Sequence, residues 1–181
     1  MNMQRSPRAK ALIAEFEGLG EKMPDGRYRA YPDPASPMGQ GKYPKNGPDV
    51  SKGAPWTIGF GATGKTITRG TVWTLEQCER AFDAHLDLFE AGVNRLLRRT
   101  NLPTTQNQFD ALVSFAYNCG LDENRNGIAE GLGDSTLLKK HLAGDYVGAG
   151  QEFAKWARAK GKILPGLVKR RAAEAKLYQT P

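Results

Sequence analysis

Apolar residues near the start of the chain recur with the spacing of an amphipathic helix. The apolar residues that lie three or four positions from one another are Ala9, Leu12, Ile13 and Phe16. Residues at this spacing share one face of a helix. Ser6 followed by Pro7 is a favoured helix start, because the hydroxyl can cap the first turn and proline suits the first helical position. Gly18 and Gly20 predict where this helix ends.

The next part of the chain, residues 21–73, is dominated by Gly, Pro, Lys and Thr. Two short runs in it, Tyr28–Tyr31 and Trp56–Phe60, predict strands. Residues 34–55 lie between these runs and are rich in Pro and Gly, so we expect an extended surface loop there.

The remainder of the chain has helical spacing. Thr74 and Gln77 form a capping-box pattern at the start of a long helix over 74–99. Further helices are predicted over 105–119, 135–143, 146–157 and 166–178. This order of elements is typical of an α+β protein.

We expect one catalytic domain, residues 1–181, built from two lobes. A small β-rich lobe covers about 18–73, and the long helix over 74–99 links it to a helical lobe. The helical lobe covers about 100–178 and includes the N-terminal helix. A cleft between two lobes is a natural place for a ligand.

The composition fits a folded protein without a membrane span. The chain has 181 residues, of which 39% are hydrophobic and 25% charged. It has no run of roughly 18–20 apolar residues. Residues 1–10 are polar and basic, and Glu15 interrupts the apolar residues that follow, so no secretory signal is indicated. We expect the protein to be made and first held in the cytoplasm.

The cysteine pattern gives little support to a metal or redox site. Cys78 and Cys119 lie far apart, and neither His85 nor His141 is at ligand spacing from them. Both cysteines fall on apolar helical faces. We therefore expect reduced thiols that pack as small hydrophobic groups, and no metal or cofactor.

The net charge of +7 is concentrated in the last quarter of the chain. Residues 1–134 have 16 basic and 16 acidic side chains, whereas residues 135–181 have 10 basic and 3 acidic ones. Such asymmetry indicates an anionic polymer as partner, either nucleic acid, a charged membrane face or a bacterial cell wall.

Two carboxylates have the asymmetry that glycosidic cleavage requires. One carboxyl must protonate the leaving oxygen and a second must remain ionised. Glu17 follows Phe16 at a helix end, where apolar neighbours would raise its pKa, and Asp33 follows a strand on an exposed turn. Helical phase does not separate Glu17 from Glu15, and a Glu–Asp pair of this kind is more often structural than catalytic.

The sequences of six segments, together with their order along the chain, favour the catalytic interpretation of this Glu–Asp pair over the structural one. They are 16–18 (Phe-Glu-Gly), 30–33 (Ala-Tyr-Pro-Asp), 56–61 (Trp-Thr-Ile-Gly-Phe-Gly), 111–120 (Ala-Leu-Val-Ser-Phe-Ala-Tyr-Asn-Cys-Gly), 135–138 (Ser-Thr-Leu-Leu) and 164–168 (Leu-Pro-Gly-Leu-Val) with Arg170, Arg171 and Glu174. In this order the chain resembles the phage-type lysozymes, glycoside hydrolase family 24. The resemblance runs from about residue 9 to 178 and implies a lysozyme-like fold.

The resemblance implies a catalytic triad of Glu17, Asp33 and Thr57. Glu17 would protonate the glycosidic oxygen, and Asp33 and Thr57 would hold and activate a water on the opposite sugar face, with inversion. The remaining implied site residues bind substrate: Tyr31, Asn118 and Phe115. For Asn118 a structural role, as a polar residue before the helix-ending Gly120, is an equal alternative. Arg170 and Arg171 are expected to bond nearby carbonyls rather than nucleic acid.

The implied function is an endolysin muramidase. It would hydrolyse the β-1,4 bond between N-acetylmuramic acid and N-acetylglucosamine in peptidoglycan and lyse the host cell. The protein would act as a monomer without membrane insertion, and a separate holin would give it access from the cytoplasm to the periplasmic wall. A lytic transglycosylase is the alternative enzyme. A basic nucleic-acid- or wall-binding module is less favoured, because the sequence has no helix-turn-helix or RNA-binding motif.

The chain departs from the family pattern at two places. Between Asp33 and Thr57 lie 23 residues, where family members commonly have a handful. Ala62 stands where the family often has His, and we expect Thr63 or a water to take over that role.

Overall fold

The structure, a computed structural model, describes residues 2–34, 36–124, 128–159 and 161–181. The chain divides into two compact units. One consists of Met1–Phe16 together with Leu86–Pro181, and the other of Glu17–His85. We call them the helical unit and the β-rich unit. The chain passes from the β-rich unit into the helical unit within the long helix that the sequence predicts over 74–99.

Each predicted helix is present. The helices are α1 (Pro7–Glu17), α2 (Leu75–Leu97), α3 (Gln106–Cys119), α4 (Thr136–Leu142), α5 (Tyr146–Glu152) and α6 (Pro165–Gln179). The predicted helix over 146–157 is shorter than expected, because Phe153–Trp156 forms a tighter 3₁₀ turn. Within the described ranges, no helix has both the length and the apolar content needed to cross a bilayer.

The helix starts agree with their sequence signals. At α2 the Thr74 N–H donates to Gln77 Oε1 at 2.8 Å and the Gln77 N–H donates to Thr74 Oγ1 at 3.2 Å. At α1 the Arg8 N–H donates to Ser6 Oγ at 3.2 Å. These bonds satisfy backbone donors that a helix leaves open in its first turn, so both predicted caps are confirmed.

The core of the helical unit is built around α3, in which residues 108–116 are all buried. The ring of Phe115 meets the edges of Phe153 and Trp156 at centroid distances of 5.6 and 5.1 Å. The 3₁₀ turn after α5 carries both of these partners and so packs against α3.

Short antiparallel strands complete the α+β fold. They are β1 (Glu21–Lys22), β2 (Tyr28–Arg29), β3 (Tyr31–Pro32), β4 (Trp56–Ile58), β5 (Ala62–Thr63), β6 (Val72–Trp73), β7 (Arg158–Ala159) and β8 (Lys162–Ile163). They form the sheets β1–β2–β6, β3–β4–β5 and β7–β8. The predicted strand over 28–31 divides at Ala30, whose N–H donates to Thr71 O at 2.9 Å, so its two halves enter different sheets.

Residues 34–55 are folded, contrary to the expectation of an extended loop; Ala35 lies outside the described residues. Met38 is buried in a small core, and Val50–Gly53 form a 3₁₀ turn. The other buried members of this core are Ala30, Trp56, Ile58 and Ile67. The Trp56 indole N–H donates to Val50 O at 3.0 Å. The apolar residues within this Pro- and Gly-rich segment thus fasten it to the strands.

Candidate active site

The structure separates Glu17 from Glu15, which the helical pattern could not do. Glu17 is the last residue of α1 and is half-buried, whereas Glu15 is exposed. Gly18 follows with φ of +67°, a left-handed conformation that ends the helix and that glycine adopts without strain. The Glu17 carboxylate is therefore held at the point where the chain leaves the helix.

The turn between β4 and β5 lies beside this carboxylate. Gly59 and Gly61 have φ values of +60° and +86°, which fold the chain back tightly between the two strands. A Cβ at Gly61 would lie 3.7 Å from Glu17 Oε2. A side chain at position 61 would therefore reach the carboxylate, so Gly61 leaves the space beside Glu17 open.

Tyr31 and Thr57 lie opposite each other in the pair formed by β3 and β4. Opposed residues in an antiparallel pair point to the same face, and residues two apart in a strand do so as well. Thr57 is buried, and Thr63 lies across from it on β5 at an exposed position. Pro32 and Trp56 form the adjacent pair on the other face, where Trp56 joins the small core.

Asp33 follows β3 directly, and the segment 34–55 holds its backbone. The Asp33 N–H lies 3.1 Å from both Gly53 O and Pro55 O. The Asp33 carbonyl accepts bonds from Ser36, from the N–H at 2.9 Å and from the hydroxyl at 2.7 Å. A Cβ at Gly39 would lie only 2.0 Å from this carbonyl, so the segment packs tightly here. Composition alone does not indicate this role, although Ser36 three residues after Asp33 is a turn signal.

Tyr31 connects Glu17 and Asp33 electrostatically. Burial raises the pKa of the Tyr31 phenol, and the negative charges of Glu17 and Asp33 raise it further. Both carboxylates therefore act on the same phenol, on the face of β3 that also carries Thr57. The ring lies against Gly20, where a Cβ would be 2.6 Å from Tyr31 Cε1. The β-rich unit thus contains two carboxylates and a hydroxyl around Tyr31, and paired carboxylates are the groups that glycosidic cleavage uses.

The model of the phage lysozyme family matches residues 25–174. The chain belongs to the phage lysozyme family. It is 40% identical to the endolysin of Acyrthosiphon pisum secondary endosymbiont phage 1 over 182 residues, which is 98% of this chain and 99% of the relative. It is 37% identical to the endolysin of Bacillus phage B103 over 169 residues, covering 93% of this chain and 51% of that relative, so it spans about half of that protein's length.

Among solved structures, the fold is similar to the muramidase domain of SpmX from Asticaccaulis excentricus. The TM-score is 0.67 and the identity 29%, over 98% of this chain and 99% of that domain. The family and the lysozyme-like α+β fold inferred from the six sequence segments are thereby confirmed.

Two further residues that the family resemblance implies, Asn118 and Phe115, lie in the helical unit. Phe115 has no exposed surface, and the Arg171 guanidinium lies over its ring at 4.9 Å from the centroid. A ring enclosed in this way cannot contact a ligand, so the expectation that Phe115 binds substrate is corrected to a core-packing role. Asn118 is exposed at the end of α3.

A buried ionic cluster orients Asn118. The Arg171 Nη2 group donates to Asn118 Oδ1 at 2.8 Å and to Glu174 Oε1 at 3.1 Å. Arg170 Nε donates to the same Glu174 oxygen at 3.1 Å, and Ser114 Oγ donates to it at 2.7 Å. Since Arg171 occupies the carbonyl oxygen, the amide hydrogens of Asn118 are what this side chain can offer to a ligand. The spacing of Arg170, Arg171 and Glu174, three and four apart on α6, could have indicated this ion pairing.

Arg170 and Arg171 have a structural role, as expected. Their main partner is the carboxylate of Glu174 rather than backbone carbonyl groups. Arg170 Nη2 lies 3.4 Å from Ser114 O, and both arginines pair with Glu174. All three charged residues are buried. The cysteines are free thiols, and Cys119 accepts a contact from Arg171 Nη1 at 2.9 Å.

Proposed function

We propose that this chain is a phage endolysin that cleaves peptidoglycan as a muramidase, at the β-1,4 bond between N-acetylmuramic acid and N-acetylglucosamine. The observation that carries the proposal is that Glu17 and Asp33 act on one phenol, that of Tyr31, on the face of the strand pair that also carries Thr57. Membership of the phage lysozyme family supports it, as do relatives named endolysin and a structural neighbour named as a muramidase domain.

In the proposed reaction Glu17 is the general acid. It donates its proton to the glycosidic oxygen as the bond to the sugar carbon breaks, which leaves the departing sugar with a hydroxyl group. Its place at the end of α1, near the turn at Gly61, leaves the side chain half-buried.

Asp33 and Thr57 activate and position the attacking water. The Asp33 carboxylate accepts one proton from the water while the water oxygen bonds to the sugar carbon, and the Thr57 hydroxyl fixes the water by a hydrogen bond. Attack opposite the leaving group inverts the configuration at that carbon. The reaction needs no metal and no organic cofactor, and Thr63 supports the water-holding Thr57 across the strand pair.

Substrate contacts come from Tyr31 and Asn118. Tyr31 lies beside the proposed catalytic carboxylates, where its ring can pack against a sugar. The amide hydrogens of Asn118, oriented by Arg171, suit the carbonyl of an N-acetyl group. The enzyme acts as a monomeric catalytic domain, made in the host cytoplasm and given access to the wall by a separate holin.

Purified sacculi test the proposal. Wild-type protein should release soluble fragments from sacculi and clear a suspension of cells whose outer membrane has been removed. Glu17→Gln should do neither, although it should still bind the sacculi. If wild-type protein binds sacculi but releases nothing over many hours, the chain is a wall-binding module and the proposal is wrong.

A further inference from the structure

A second concave site lies in the β-rich unit. Its volume is about 650 Å³, within the range of pockets that bind small molecules. Its charged and aromatic lining residues are Glu21, Arg29, Lys45, Trp56 and Arg69. We call it the Arg29–Arg69 cavity. The proposed reaction uses none of these side chains.

The cavity is distinct from the proposed catalytic residues. Pro32 and Trp56 line it and form the strand pair next to Tyr31 and Thr57. Because side chains alternate along a strand, the Pro32–Trp56 pair points to the opposite face. The Pro32–Trp56 side of the cavity is therefore on the reverse face from Tyr31 and Thr57.

The segment 34–55 forms one wall of this cavity and is fixed in place. Lys45 and Asn46 come from this segment. Arg69 Nη1 donates to Gly47 O at 2.5 Å, and a Cβ at Gly47 would lie 2.2 Å from Tyr43 Cε1. A guanidinium has five N–H donors, so this bond orients the remaining ones without exhausting them. The cavity is thus preorganised by the insertion between Asp33 and Thr57.

The charged side chains that line the cavity favour a ligand that carries several carboxylates and an amine. Arg29, Lys45 and Arg69 are three cations against the single carboxylate of Glu21, which leaves a net charge of +2. Two guanidinium groups suit carboxylates, which they can bind through paired N–H donors. Glu21 lies across from Arg29 in the β1–β2 pair and can accept an ammonium group.

The uncharged lining favours a peptide over a phosphate polymer. Trp56, Pro32, Ala30 and Val72 supply apolar surface, and Asn46 supplies an amide that can pair with a peptide group. A polyphosphate chain would use none of this surface and would be repelled by Glu21.

We infer that the Arg29–Arg69 cavity binds a short acidic peptide that carries both carboxylates and an amine, the chemistry of the stem peptides of peptidoglycan. The inference rests on the proposed function, since it takes peptidoglycan as the substrate. Because Pro32 and Trp56 face away from Thr57, the cavity would hold a stem peptide other than one on the sugars being cleaved. Its effect would be to keep the enzyme on uncut wall between cleavage events.

Titration of the full-length protein with a free peptide tests this inference. The probe is the N-acetylated tetrapeptide L-alanyl-γ-D-glutamyl-meso-diaminopimelyl-D-alanine, with binding followed by calorimetry. Wild-type protein should bind it saturably, and the double variant Arg29→Gln/Lys45→Gln should bind at least about tenfold more weakly. The matched control is Lys22→Gln/Lys42→Gln, which removes the same charge from exposed positions of the same unit outside the cavity and should bind like wild type.

Three results would overturn the inference. They are absence of saturable peptide binding, equal weakening in the cavity and control variants, and displacement of the peptide by an equal concentration of poly(glycerol phosphate). The probe has no glycosidic bond, so its binding is measured independently of muramidase activity. A failure of the proposed function on sacculi is therefore distinguishable from a failure of this site.

Discussion

Thr57 lies directly opposite Tyr31 across the antiparallel strands β3 and β4. This register decides the chemistry of the β-rich unit, because a slip by one residue would exchange the two faces and bring Trp56 to the position of Thr57. The Asp33 N–H, bonded to Gly53 O and Pro55 O, holds the end of β3 in this register. The long insertion before Thr57 thus supports the proposed site.

Replacement of Glu17 is the first test of the assigned roles. Glu17→Gln removes the proposed proton donor while preserving size, so the rate of wall cleavage should fall by about 10²–10⁴-fold. Glu15→Gln is the matched control on the same helix, and because Glu15 is exposed its rate should stay near that of wild type. An active Glu17→Gln beside an inactive Glu15→Gln would reverse the assignment.

Asp33 and Thr57 should both be needed for turnover. Asp33→Asn removes the base and the charge, and Thr57→Val removes the hydroxyl, so each should lower kcat, with Asp33→Asn the more damaging. Asp25→Asn serves as control, since Asp25 is an exposed turn residue whose carboxylate pairs with Arg27 at 2.7 Å. Steady-state rates on solubilised glycan strands are the measurement. Full activity in Asp33→Asn together with loss in Asp25→Asn would refute the assignment.

Gly20 should be required for the position of Tyr31. Gly20→Ala would place a methyl group 2.6 Å from the Tyr31 ring, at a backbone with φ of +77°. Gly26 has a similar φ of +84° but open space around its Cβ position, so Gly26→Ala reports the backbone strain alone. Both variants should lose about 1 kcal/mol of stability from strain. Only Gly20→Ala should also lose activity, by about tenfold or more, as seen in kcat/KM measured below the unfolding temperature; equal activities would contradict the role given to Tyr31.

His141 should make the protein less stable in mild acid. It is buried between Thr104 Oγ1, at 2.9 Å from Nε2, and the Tyr178 hydroxyl, at 2.6 Å from Nδ1. Burial lowers the pKa of His141 from 6.5 to about 4. Between these values the unfolded chain binds a proton that the folded protein does not. The free energy of unfolding should therefore fall as the pH drops from 6.5 to 4, by up to about 3 kcal/mol from this residue, and level off below.

Denaturant unfolding at several pH values measures this effect. His141→Gln should be less stable near neutral pH yet show a shallower loss of stability between pH 6.5 and 4 than wild type. His85→Gln, at an exposed position on α2, is the control and should keep the wild-type slope. The same slope in all three proteins would rule out His141 as the source.

The sequence predicted the helices best, because their signals are local. The capping pair Thr74 and Gln77 and the apolar stripe of α1 depend only on residues within a few turns. The segment 34–55 has the composition of a loop, so its fold is not predictable from local pattern: Met38 and Trp56 fold it through contacts far apart in sequence. Pattern alone could not choose between Glu17 and Glu15 either, because the choice depends on the turn at Gly61.

The basic C-terminal region shows a second limit of sequence reasoning. All of the net charge lies in residues 135–181, which suggests a broadly exposed positive surface. In the structure Arg170 and Arg171 are buried with Glu174, and Lys140 and Lys155 both pair with Glu152, at 2.8 and 2.9 Å. Charge counting cannot separate cations that are free at the surface from those that pair with buried carboxylates.

We propose that Glu17, Asp33 and Thr57 together catalyse hydrolysis of the bond that follows N-acetylmuramic acid. Mass spectrometry of the muropeptides released from purified peptidoglycan tests it most directly, because the masses identify both the new end sugar and the fate of water. We expect fragments that end in reducing N-acetylmuramic acid, released by wild-type protein and not by Glu17→Gln. Fragments that end in 1,6-anhydro-N-acetylmuramic acid, lighter by one water, would contradict it and identify a lytic transglycosylase, in which Asp33 and Thr57 have no water to hold.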